Sequence, residues 1–237
     1  MRVTTIKQWL QAAADVVMPR SCPVCGKTLS LSEPWLCHNS LNQLPRTFLY
    51  GTQSNAMEQL FYGKTLQPIE MAAGLFWYEK SSSYATILHD IKYHHMPRMG
   101  QWLAQLAMSE MPELASNKSV VVPVPLHATK LAQRGYNQSE YIARGVAQAT
   151  GASMLNALEA LHSHSTQTHK SALERWENIQ GTYSLKHDMK QRLVGKHIVV
   201  VDDVVTTGST LEACINELQG VPQVTVSVFT LAVARLS

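Results

Sequence analysis

Asp202 and Asp203 stand side by side at the end of an apolar run, HIVVVDD, and Thr206, Thr207, Gly208, Ser209 and Thr210 follow closely. Two adjacent carboxylates accept hydrogen bonds from sugar hydroxyls or hold Mg2+ through water. They cannot bind phosphate directly. The hydroxyl-rich stretch that follows can, because it opens a helix whose free N–H groups and positive dipole end suit a dianion. Gly208 lets the backbone approach a ligand closely. Phosphate-facing donors beside sugar-facing acceptors describe a site for a ribose 5-phosphate group, built by residues 198–210. Two rival phosphate motifs are absent: no Lys follows Gly208 as a P-loop requires, and there is no GxGxxG.

The cysteines suggest a second kind of site. Cys22, Cys25 and Cys37 cluster at metal-type spacing, Cys22-x2-Cys25-x11-Cys37-x2-Ser40, with serine where a fourth cysteine would complete a zinc knuckle. A structural zinc site takes four ligands. His38 adjoins Cys37 and is awkwardly placed for chelation. Three outcomes stay open: a distant residue is the fourth ligand, zinc has been lost, or packing alone holds the knuckle. Cys214 falls on the apolar face of a helix and reads as a buried core thiol. The His94-His95 pair and His162, His164 and His169 read as exposed side chains rather than ligands.

The elements that must position these residues follow from periodicity. Residues 74–78 are apolar and aromatic, hence strand-like. Tyr84, Ile87, Leu88 and Ile91 mark one helix face, and Met99, Trp102, Leu103 and Leu106 another. SVVVPVP is a short β-branched run closed by prolines. Asn137 with Glu140 predicts a capping box, and Gly151 a helix stop. HIVVVDD has the pattern of a parallel strand buried on both faces. Leu211, Cys214, Ile215 and Leu218 form the next helix face, and VTVSVFTLAV is a last strand. Alternating strands and helices predict an α/β fold with a mainly parallel sheet flanked by helices. Residues 1–50 are expected to hold a small N-terminal helix and the cysteine knuckle, and residues 51–237 the α/β domain, entered through a polar connection at 51–70.

With 237 residues and a hydrophobic share of 45%, the chain is long and apolar enough for one such domain plus an appendage, and not for a disordered protein. A formal net charge of +3 is too mild to announce a nucleic-acid binder. No apolar run approaches a membrane span, and Gln8, Gln11 and Asp15 interrupt any signal-peptide core. A cytoplasmic protein is expected.

VVVDDVVTTGST resembles the signature of type I phosphoribosyltransferases, which bind phosphoribosyl pyrophosphate (PRPP) with Mg2+. Two further segments, residues 122–143 with Arg134-Gly135-Tyr136-Asn137-Gln138 and residues 166–185 with Gln167, Leu173, Arg175, Asn178 and Gly181, narrow the resemblance to the ComF family. It implies that Asp202 and Asp203 face the ribose hydroxyls and that Thr206, Thr207, Gly208, Ser209 and Thr210 hold the 5-phosphate. It maps a pyrophosphate loop to residues 123–126 and a mobile closing loop to residues 163–182, with Lys170 and Arg175 as pyrophosphate contacts. Lys130 and Arg134 add cations, although plain solvated charge is an equal reading for Lys130. The family often has Arg before the mobile segment, where His162 or His164 stands here. The resemblance implies a link to natural competence and DNA uptake, and a glycosyl-transfer reaction in which a nitrogen nucleophile displaces pyrophosphate at ribose C1, with Mg2+ assisting. No catalytic residue can be assigned. The alternative is a binding module that uses PRPP or a nucleotide as effector and meets single-stranded DNA or competence-machinery proteins. An amidophosphoribosyltransferase is set aside, because it needs a glutaminase domain with an N-terminal cysteine and Arg2 follows Met1.

Overall fold

The computed structural model describes residues 19–161 and 182–235. The expected N-terminal helix and the segment 163–181, with Lys170 and Arg175, lie outside them. The strands are β1 (Met71–Tyr78), β2 (Val120–Pro123), β3 (Ser153–Met154), β4 (Leu158–Ala160), β5 (Tyr183–Leu185), β6 (His197–Val205) and β7 (Thr225–Ala234). The helices are α1 (His38–Asn42), α2 (Ala56–Gln59), α3 (Ala85–Tyr93), α4 (Pro97–Glu110), α5 (Ala128–Arg134), α6 (Gln138–Thr150), α7 (Lys190–Leu193) and α8 (Ser209–Gln219). Five strands form one sheet in the order β1-β7-β6-β2-β3, and every neighbouring pair is parallel. β4 and β5 pair antiparallel beside it.

The apolar run of β6 explains the layering. Its side chains alternate between faces. Val199 and Val201 join a core with Ile87, Met99, Leu103 and Ile142 from α3, α4 and α6, while Ile198 and Val200 join Leu211, Cys214, Ile215 and Leu218 of α8. A strand covered on both faces has no polar edge to offer, hence its unbroken valines. The expected arrangement of a mainly parallel sheet flanked by helices is observed.

Caps fix the helix starts. The Asn137 carboxamide oxygen accepts from the Ser139 N–H, and Gly151 ends α6 at φ +73°. The capping box is only half formed, because Glu140 turns away to pair with Arg144 at 2.6 Å. The stretch 51–70 is more than a connection. Gln67 and Gln219 exchange hydrogen bonds of 2.8 and 2.9 Å, so this stretch is tied to α8. Residues 19–50 lean on the sheet: the Trp77 N–H donates to the Pro45 carbonyl at 2.7 Å, and the Tyr84 hydroxyl donates to the Ser40 carbonyl at 2.9 Å. No helix among the described residues is long and apolar enough to cross a membrane.

The order of the sheet sets where a ligand can sit. From β2 the chain runs through α6 to β3 on one side, and from β6 through α8 to β7 on the other. The loops leaving β2 and β6 therefore diverge, and a crevice opens at their carboxyl ends.

The crossing of α4 and α6 is closed by Gly145, where an added Cβ would lie 2.2 Å from the Gln101 carbonyl oxygen and 2.8 Å from the Ala104 Cβ. Overpacking of this kind costs about 1–3 kcal/mol. Gly145→Ala is therefore expected to lower the urea midpoint of unfolding without changing the m-value; an unchanged midpoint would contradict the close crossing.

Candidate functional site

β6 ends at Val205 and α8 begins at Ser209. Between them Gly208 takes φ +83°, a conformation that favours glycine, and no side chain caps the helix. The N–H groups of the first turn therefore stay available to a ligand. A cavity of about 40 Å³ sits there, walled by Asp202, Thr206, Gly208, Ser209 and Thr210 among others. The Thr207 hydroxyl lies outside that wall, 3.1 Å from the Ser209 hydroxyl. A Cβ added at Gly208 would lie 3.4 Å from both Leu60 and Phe61, so the stretch before β1 backs the turn.

Both acids are buried and both are engaged. The Ser139 hydroxyl of α6 donates to Asp202 Oδ1 at 2.8 Å, and the Asp203 N–H donates to the same oxygen at 2.9 Å. Lys92 Nζ of α3 lies 2.8 Å from Asp203 Oδ2. That contact is an ion pair without hydrogen-bond alignment, so the buried oxygen keeps an unmet directional demand. Burial, and then the neighbouring Asp203 charge, push the Asp202 carboxyl up to about 7, more than the Ser139 hydroxyl and Lys92 pull it down. Tyr183, at the start of β5, adds a hydroxyl bonded to the Thr210 side chain. Burial, with the charges of Cys214 and Asp202, raises its pKa and keeps it protonated.

Asp202, Thr206, Gly208, Ser209 and Thr210 line one cavity, whereas Asp203 and Thr207, expected with them, do not line it. Arg134 is held nearer α3: its guanidinium lies 5.2 Å above the Tyr93 ring and bonds Gln138 Oε1. Lys130 lies exposed on α5, outside the cavity wall. Three participants were not foreseen in these roles, namely Lys92 as the partner of Asp203, Ser139 as the donor to Asp202, and Tyr183. The Ser139 contact spans 63 residues of chain, and no local pattern signals it. A larger cavity, about 660 Å³, opens at the amino ends of β2, β3 and β6, away from this chemistry.

The cysteine cluster is assembled as well. Cys25 Sγ and Cys37 Sγ are 3.6 Å apart, and the Ser40 hydroxyl lies 3.4 Å from Cys22 Sγ and 3.3 Å from Cys37 Sγ. Tetrahedral zinc with Zn–S bonds of about 2.3 Å separates its sulfurs by about 3.8 Å, so the set fits that ion. Burial opposes the Cys22 thiolate. The Ser40 hydroxyl and the N–H groups of Cys37, Val24 and Cys25 outweigh it, and the thiol falls to about 7. His38 is turned aside to Glu33 at 2.8 Å, so among the described residues Ser40 stands at the fourth position.

The parallel sheet, its switch-point crevice and the uncapped turn define an α/β protein with a candidate phosphate cradle. The chain matches no protein-family model. It is 30% identical over 133 residues to DNA utilization protein YhgH of Salmonella typhi, covering 53% of this chain and 56% of that protein. It is 34% identical over 92 residues to competence protein F of Haemophilus influenzae, covering 38% and 40%. The resemblance to the ComF family is thereby borne out, and the chain spans about half the length of the curated relatives it matches. Among solved structures it is similar to an allosteric regulatory enzyme of purine biosynthesis (20% identity, 59% of this chain, 29% of that one, TM-score 0.38). It is also similar to glutamine PRPP amidotransferase of B. subtilis (24% identity, 56% and 25%, TM-score 0.34). At such scores the fold is read from the sheet order and not from these likenesses.

The raised Asp202 gives a stability test. A carboxyl whose folded pKa lies above its ordinary 3.8 destabilises the fold only when ionised, so the cost is absent below that value and complete above about 7. Asp202→Asn, whose carbonyl still accepts from Ser139, is expected to raise the melting temperature by several degrees at pH 8 and by much less at pH 4.5. Equal shifts at both pH values, read by thermal melts, would contradict the burial argument.

Proposed function

We propose that this chain is a PRPP-binding protein of the phosphoribosyltransferase fold that acts in the use of DNA taken up by the cell. The observation that carries the ligand reading is the uncapped, glycine-led start of α8 beside a buried acid pair at a sheet switch point. The 5-phosphate is met by the turn 206–210 and the ribose hydroxyls by Asp202 and Asp203. The pyrophosphate extends toward residues 123–126, with Lys130, Arg134 and Arg175 as its cations. When bound, Mg2+ supplies charge neutralisation to the departing pyrophosphate.

The reaction open to such a site is phosphoribosyl transfer: the C1–O bond to pyrophosphate breaks and a C1–N bond to the nucleophile forms. None of the described residues stands out as the base for the nucleophile's proton. The DNA reading rests on the names of the relatives, competence protein F and DNA utilization protein YhgH. It carries with it a cytoplasmic location and competence-machinery partners. A second reading, an effector-controlled module that binds single-stranded DNA, is favoured by one feature. Arg134 over Tyr93, next to the edge-to-face pair Tyr136–Tyr141 at 5.9 Å, is a cationic and aromatic surface of the kind that stacks bases. Residues 1–50 serve in either reading as a zinc-knuckle segment on the ligand-binding domain of residues 51–237, with Cys22, Cys25, Cys37 and Ser40 around Zn2+.

Calorimetric titration of PRPP with Mg2+ into the wild type and into Asp202→Asn/Asp203→Asn tests the ligand. Saturable binding that the folded double variant loses is expected; no binding to folded wild type would sink the assignment. For zinc, Ser40→Cys is expected to tighten the site at least tenfold in competition with a chromophoric chelator, since a thiolate replaces a hydroxyl. Unchanged affinity would remove Ser40 from the ligand set.

A further inference from the structure

The last turn of α3 carries a second group of metal-ligating side chains, remote in sequence from the cysteines. One ligand atom each from His89, Asp90 and His94 lies within 4.8 Å of the others. His94 Nδ1 is 2.7 Å from Asp90 Oδ1, and His89 Nδ1 is 3.8 Å from the same oxygen. The two imidazoles meet edge-to-face at 4.7 Å. A plain hydrogen bond accounts for His94. His89 packs its ring against Tyr93 at 5.2 Å, and that packing brings its Nδ1 to the same carboxylate, beyond hydrogen-bond reach.

The surroundings favour a bound cation. Both imidazoles are exposed, with 57% of each side chain accessible, so an ion can enter; Asp90 is nearly covered, at 13%, so the carboxylate is held in place. The cation next in sequence, Lys92, is committed to Asp203 at 2.8 Å. The carboxyl end of a helix is the negative end of its dipole. Tetrahedral bonds of about 2.0–2.1 Å separate N and O ligands by about 3.4 Å, so the observed spacings of 2.7 and 3.8 Å need shifts of under about 1 Å.

We propose that His89, Asp90 and His94 form a site for a borderline divalent transition metal, of the Zn2+ class, with a coordination position left open to solvent. Two imidazoles and a carboxylate select zinc-like ions over Mg2+ and Ca2+, which take oxygen ligands. The site is separate from the cysteine cluster and independent of the proposed PRPP reading. It shares its helical turn with Lys92, which touches Asp203, and Tyr93, which lies under Arg134. An ion here would brace the turn that supplies those contacts.

The test uses the full chain titrated with Zn2+ against a chromophoric chelator, and with Co2+ followed by its visible spectrum, in the wild type and in His89→Gln/His94→Gln. Both side chains are exposed and glutamine at 94 can still donate to Asp90, so the variant is expected to stay folded, as its melting curve checks. The wild type should bind one more equivalent of Zn2+ than the variant. Its Co2+ d–d absorption should exceed the variant's, while the thiolate charge-transfer band from the cysteines stays the same in both. Equal zinc stoichiometry and equal Co2+ spectra would overturn the proposal.

Discussion

Two adjacent carboxylates at the end of a central buried strand must be stabilised by groups from elsewhere in the chain. An uncompensated buried charge costs several kcal/mol, on the order of what a whole domain has to spare. Asp203 meets Lys92 of α3, and Asp202 meets the Ser139 hydroxyl at the start of α6. Two helices from one layer are thereby locked to β6 by polar contacts at the end where the valine core stops. The apolar clusters hold the layers together, and the acid pair sets their register at the crevice.

That arrangement prepares the turn that follows. α8 begins with its first N–H groups uncapped and its dipole pointing at the cavity, a few residues beyond the acids. A carboxylate so close to a phosphate would ordinarily oppose it. Burial raises the Asp202 pKa and so weakens that opposition, and Lys92 offsets Asp203. Donors for a phosphate and acceptors for a sugar can then coexist within one strand–turn–helix unit, as the divergence of the loops after β2 and β6 requires of any ligand bound there.

The parts that were legible in the sequence are those encoded locally. The valine run of β6, the helix face Leu211, Cys214, Ile215 and Leu218, and the hydroxyl-rich turn are each contained in a short stretch, and all were found where expected. The β4–β5 hairpin was not, since each strand is only three residues long and its partner lies across residues 162–181. Ser139, Lys92 and Tyr183 reach the site across long separations that no periodicity records. Ser40 illustrates the middle case. Its spacing marked the fourth ligand position, and only the fold brings its hydroxyl to 3.3–3.4 Å from two thiols while Glu33 draws His38 away. The histidines at 89 and 94 read as exposed or unremarked side chains in one dimension and converge on Asp90 in three.

On the proposed reading, the start of α8 receives a phosphate. This is tested most directly by titrating ribose 5-phosphate, and ribose as control, into isotopically labelled protein while following backbone amide resonances. Saturable shifts of the amides of residues 206–211 are expected with the phosphorylated sugar, and none there with ribose. Saturable shifts confined to the basic cavity at Lys118, Arg192 and Lys196, with residues 206–211 unmoved, would contradict it.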